Sequence, residues 1–158
     1  MKKILLLPLF LLISFTSFSA PQKKELLERY CEQLGGKVVN KFKCPKSKLT
    51  IPLYFCVYKT AEKKRMFFDG CTGPSGGHMS LFFPQCIKHD YCYHHEPISN
   101  GRTQKECDEE MRDGMLDLCE KAKDPKKCRR WALNMYVAVR SFGKIAYECA
   151  NYEADYTL

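Results

Sequence analysis

Apolar positions along this chain fall mostly into helical registers. In 22–34, Leu26, Leu27, Tyr30, Cys31 and Leu34 recur three and four residues apart, the spacing of one helix face, and Gly35-Gly36 ends the run. Between 37 and 58 no such period persists. Short strands are predicted at 37–42 and 53–58, limited in length by Pro45 and Pro52, which cannot donate to a ladder. A glycine-rich loop covers 69–77. Pro84 is suited to a first helical turn, so a helix is predicted over 84–95, stopping before Pro97. Asn100-Gly101 makes a turn. Thr103 caps the next helix, and Glu106 three residues on completes a capping box. Its stripe is Cys107, Met111, Met115, Leu118 and Ala122. Asp124-Pro125 starts a last helix with the stripe Trp131, Met135, Ala138, Phe142, Ile145 and Cys149. The expected fold is mainly α, with two long helices packed antiparallel across a short turn.

The chain opens as a secretory precursor does. Lys2 and Lys3 precede an apolar stretch, 4–13, interrupted by Pro8 and too short to span a bilayer. A cut after Ser19 puts Ser17 and Ser19 where signal peptidase wants small residues, whereas a cut after Ala20 would put Phe18 at one of those positions. Residues 1–19 are therefore expected to be a signal peptide and 20–158 a single domain, the other possibility being an uncleaved N-terminal anchor. All ten cysteines follow the leader, an even and dense count that implies disulfides and a secreted, extracellular protein. Zinc binding by Cys86, His89 and Cys92 is the alternative for part of that set.

The full chain carries a net charge of +8, of which the leader contributes two lysines. This favours contact with anionic surfaces such as acidic lipid. The basic residues are not interleaved with aromatics in the way that base stacking requires, so no nucleic-acid partner is expected. No obligate protein partner is expected either. Met79, Leu81, Phe82 and Phe83 suit an acyl-chain slot and core packing equally well; Trp131 suits the core. His78 reads as a loop residue, His94 and His95 as surface residues at a helix end.

The chemistry concentrates in Cys86-Ile87-Lys88-His89-Asp90-Tyr91-Cys92-Tyr93. On a helix, Cys86, His89 and Tyr93 share a face, while Asp90 is turned by about 100°. The imidazole can then face a reacting water while the carboxylate faces a cation. A bridge between Cys92 and Cys107 would bring Asp108 near His89, where it would orient the ring and stabilise the imidazolium. Such a dyad, with no Ser or Cys nucleophile beside it, most naturally activates water. Glycines in Asp69-Gly70-Cys71-Thr72-Gly73-Pro74-Ser75-Gly76-Gly77 let carbonyls turn towards a ligand. With Asp90 and Asp69 they would make an all-oxygen site suited to Ca²⁺.

The segment Asp69-Gly70-Cys71, the octapeptide from Cys86 to Tyr93, and Cys107-Asp108 together resemble the secreted phospholipase A2 superfamily. The resemblance covers roughly 69–115, with looser similarity along the last helix. It implies a disulfide-stapled fold with a Ca²⁺-binding loop and hydrolysis of the sn-2 ester of phospholipids at a membrane surface. It implies His89 as general base, Asp108 as its orienting partner and Tyr93 as a hydrogen-bond donor to Asp108. It implies Ca²⁺ on Asp90, Asp69 and loop carbonyls around Gly70, Gly73 and Gly77, and bridges Cys71–Cys86 and Cys92–Cys107. Gln85 stands where venom and pancreatic enzymes carry the first of two tandem cysteines. Their Tyr-Gly-Cys-x-Cys-Gly-x-Gly-Gly loop is absent, and the short span between His89 and Asp108 leaves no room for their β-wing. The chain is more similar to the compact bacterial, fungal and invertebrate members. A non-catalytic relative, used as a binding protein or toxin subunit, is the alternative, and a cationic membrane-disrupting protein is a second. The pairing of Cys31, Cys44, Cys56, Cys119, Cys128 and Cys149 stays open.

Overall fold

The computed structural model describes residues 20–40, 42–43, 50–51, 54–61, 63, 65–95 and 100–150. The expected signal peptide, 1–19, lies outside them. Helix α1 is Ala20–Gln33 and buries Leu26, Leu27 and Cys31. Strands β1 (Lys37–Val39), β4 (Phe55–Lys59) and β5 (Arg65–Phe68) form an antiparallel sheet in the order β1-β4-β5, with Val38 opposite Cys56 and Cys56 opposite Phe68. Strands β2 (Phe42–Lys43) and β3 (Thr50–Ile51) pair separately. Strand β5 was not expected. Its four residues, directly after a basic run, are too short to show a period, and β4 supplies the ladder that makes them a strand.

Helix α2 is Met79–His94, so it begins five residues before Pro84 rather than at it. An interior proline costs a helix roughly 3 kcal/mol through its missing N–H and its ring clash. The added turn buries Met79, Phe82 and Phe83, both phenylalanines fully. At about 1.5–3 kcal/mol for each buried side chain, packing outweighs the proline. These three are therefore core residues, and Leu81 packs beside them.

Helix α3 is Gln104–Cys119, and both hydrogen bonds of the Thr103–Glu106 capping box are present. Helix α4 is Pro125–Phe142, with the Asp124 side chain accepting from the Lys127 N–H and Pro125 in its first turn. The α4 core line is Cys128, Ala132 and Met135, with Trp131 and Val139 packed against it. This corrects the expected stripe at its far end. Phe142, the last residue of α4, is 78% exposed and Ile145, just beyond it, 60%, because both lie past the core. Gly143 turns the chain into α5 (Lys144–Ala150).

Disulfides tie these elements together: Cys31–Cys56 joins α1 to β4, Cys71–Cys86 the glycine-rich loop to α2, Cys92–Cys107 α2 to α3, and Cys119–Cys128 α3 to α4. The side chains of Cys44 and Cys149 lie outside the described residues. The four bridges among the described residues fit an oxidising compartment. Among the described residues no helix is long and apolar enough to cross a membrane.

Candidate active site

Helices α2 and α3, clamped by Cys92–Cys107, bring His89 to Asp108. His89 Nε2 lies 2.8 Å from Asp108 Oδ1. The same oxygen accepts from the Tyr93 hydroxyl at 2.6 Å. Tyr93 follows His89 by one helical turn, and their ring centroids are 4.0 Å apart. Asp108 Oδ2 accepts from Arg140 Nη1 at 2.8 Å and from Gln104 Nε2 at 3.4 Å. Asp108 is 0% exposed. Burial by itself would raise its pKa, but the donors His89, Tyr93 and Arg140 outweigh burial and hold the carboxyl below the ordinary carboxylate range. Burial and Asp108 push the Tyr93 phenol well up, so Tyr93 stays protonated and donates.

Asp90 points elsewhere. Its Oδ2 accepts the backbone N–H of Asp69 at 2.9 Å and of Gly70 at 2.6 Å. Gly70 has φ +70°, and a Cβ there would come within 2.6 Å of the Phe83 ring, so glycine is required on both counts. Asp69 is itself buried. Its Oδ2 has no hydrogen-bond partner, and the nearest cation is Lys23 Nζ at 3.6 Å. Burial raises the pKa of Asp69, and burial together with the Asp69 charge raises that of Asp90 further. Two buried acidic side chains thus lie together with one ammonium beside Asp69.

His89, Asp90, Asp69, Gly70, Gly73 and Tyr93 all border one cavity of about 410 Å³. Its other wall is apolar: Phe55, Met111, Met135, Ala138, Val139, Phe142, Ile145 and Ala146. Of the sequence-predicted site residues Asp108, Gly77, Cys92 and Cys107 lie off this cavity: Asp108 is fully buried on the Nε2 side of His89, the Cys92–Cys107 bridge is buried, and the loop borders the cavity only as far as Gly73, with Gly76 against the Trp131 indole. The candidate acyl-slot residues Met79, Leu81, Phe82 and Phe83 do not border it; the apolar wall comes from β4, α3, α4 and α5 instead. His78 precedes α2 and stacks near Phe82. His94, expected at the surface, is 9% exposed, borders the cavity and packs 4.3 Å from the Phe67 ring centroid. Burial drives its pKa well down, and the pKa of His95 down as well.

Arg140 and Gln104 were missed because no local spacing links them to Asp108. The signal was the turn itself. Folding α3 and α4 back about 120–124 sets Arg140 across from the first turn of α3, where Gln104 also reaches the Val139 carbonyl at 3.2 Å.

Among the described residues no three His, Cys, Asp or Glu side chains gather into a set that could hold a metal unaided. A cation beside Asp69 and Asp90 would need backbone oxygens as well, the donor set that a hard ion such as Ca²⁺ accepts. The orphaned, buried Asp69 Oδ2 fits such an ion. Comparison with protein-family models, curated proteins and solved structures finds no significant match to this chain.

Proposed function

We propose that this protein is a secreted, calcium-dependent phospholipase A2 that hydrolyses the sn-2 ester of phospholipids. The observation that carries the proposal is His89, hydrogen-bonded to the buried Asp108, bordering a cavity with one apolar wall beside two buried carboxylates. The His89 bond goes to a carboxylate and not to a hydroxyl, and the cavity cysteines Cys71 and Cys86 are bonded to each other. Water is then the nucleophile.

Because Nε2 is engaged with Asp108, Nδ1 is the nitrogen that takes the proton as water attacks the ester carbonyl. Asp108 stabilises the imidazolium that results, and Tyr93 and Arg140 keep Asp108 ionised and in place. His89 then returns the proton to the departing alkoxide. The apolar wall receives acyl chains, which excludes water around the ester. Asp90, Asp69 and the carbonyls of Gly70 and Gly73 would hold the calcium ion. When bound, that ion supplies positive charge to the ester carbonyl and to the oxyanion that forms from it.

The test is fatty-acid release from labelled phospholipid vesicles in Ca²⁺ or EDTA, for wild type and His89→Gln. The expected result is Ca²⁺-dependent release at the sn-2 position, lowered by the substitution about 100-fold or more, the scale of general-base catalysis. Release indifferent to both EDTA and the substitution would sink the mechanism in favour of membrane disruption. Absence of release from folded wild type would favour a non-catalytic relative.

A further inference from the structure

The acidic pair Asp69–Asp90 already has a cation, and it comes from the chain itself. Lys23 reaches Asp69 from the first turns of α1, with Nζ 3.6 Å from Oδ2. That distance is an ion pair but too long for a full hydrogen bond. The Lys23 side chain is 19% exposed, so it lies along the surface of the site and has a path to water. Asp90 is served differently: its Oδ2 takes two backbone N–H groups, which are dipoles and not charges. The pair thus has two negative charges against one positive, and one buried oxygen with no donor. A divalent ion would neutralise both carboxylates and coordinate the orphan oxygen. If Lys23 stayed beside it, the site would hold one positive charge too many. A four-carbon stem rooted on a helix face can swing its ammonium into solvent at little cost.

We propose that Lys23 is a resident counter-cation of the Asp69–Asp90 pair, which a divalent ion displaces, so that Lys23 sets the affinity of the site. This rests on the cation-dependent reading above and deepens it. In the cation-free protein Lys23 stabilises two buried carboxylates. When Ca²⁺ binds, the same ammonium opposes it.

The two effects give Lys23 a signature that a purely structural residue lacks. Terbium luminescence and calorimetric Ca²⁺ titration would be run on the folded full chain, for wild type, Lys23→Met, Lys24→Met and Asp90→Asn. Methionine keeps the stem and removes the charge. Lys24 pairs with Glu28 on the same helix and loses the same charge without touching Asp69. Lys23→Met is expected to bind Ca²⁺ about tenfold tighter, because a nearby like charge is gone. Its melting temperature should fall in EDTA yet rise further than that of wild type when Ca²⁺ is added. Lys24→Met should bind within about twofold of wild type, because exposed charges are screened. Binding that Asp90→Asn removes but Lys23→Met leaves unchanged or weakens would overturn the role of Lys23 and spare the site. Binding in none of the variants would overturn the site together with the proposal.

Discussion

At the scale of single residues, Asp108 concentrates the demands of the site. A carboxylate with no exposure needs compensation for the water it has lost, and neutral donors alone do not supply it. Arg140 brings the permanent positive charge, Tyr93 and Gln104 bring neutral donors, and His89 becomes charged only when it holds a proton. Arg140→Gln is therefore expected to lower kcat about tenfold to a hundredfold with KM little changed, because the acyl wall is untouched. Arg140→Lys should recover part of the loss, since it restores charge without the planar fork. Steady-state kinetics beside a circular-dichroism melt checks this, and a kcat equal to wild type in Arg140→Gln would remove the residue from the mechanism. His89 and Asp90 were readable because they are neighbours on one expected helix, and Asp108 because one expected bridge, Cys92–Cys107, ties its helix to theirs. Arg140 and the buried His94 were not, because their partners, Asp108 and Phe67, lie in segments far along the chain.

Among the elements, the corner between α4 and α5 packs directly against Tyr93, the residue that bonds Asp108 in the proposed dyad. Gly143 has φ −68°, so its backbone is ordinary and the reason for glycine is space. A Cβ there would stand 2.5 Å from the Tyr93 hydroxyl and 2.4 Å from the Val139 carbonyl. Gly143→Ala must push either α5 or Tyr93 away, at an overpacking cost of about 1–3 kcal/mol. The expected outcome is a lower melting temperature together with reduced kcat, as Tyr93 loses its bond to Asp108. Full activity with unchanged stability would show that the corner gives way without effect. The capped helices were legible because Thr103, Glu106, Asp124 and Pro125 act within a few residues of themselves. The start of α2 and the cavity wall were not, since Pro84 argued locally against a helix that distant core contacts favour.

For the molecule as a whole, the buried charges pull in opposite directions with pH. Asp69 and Asp90 have raised folded-state pKa values, so what they add to stability is complete at acid pH and is lost as pH rises through those values. Asp108 and His94 are lowered, so their contributions are complete above the ordinary values of 3.8 and 6.5 and are lost as pH falls. As pH rises, the protein therefore gains from Asp108 and His94 and loses from Asp69 and Asp90, which burial and, for Asp90, the Asp69 charge oppose ionising. Ca²⁺ should raise the melting temperature more at about pH 7.5 than at about pH 4.5, because the raised pKa values make protons compete for the pair as pH falls. Scanning calorimetry at both values checks this, and an equal shift at the two would point to binding elsewhere.

Helix α2 is held by sulfur at its middle and near its C-terminal end. Cys71–Cys86 draws in the loop that carries Asp69, and Cys92–Cys107 draws in the helix that carries Asp108, each closing 15 residues of chain. Loops of that length gain about 3 kcal/mol from closure. Without the bridges, His89, Asp108 and the Asp69–Asp90 pair would lack the covalent ties between the segments that carry them. On the proposed activity, a newly made chain in a reducing cytosol would be harmless to the lipids of the cell that makes it. Oxidation after export would arm it.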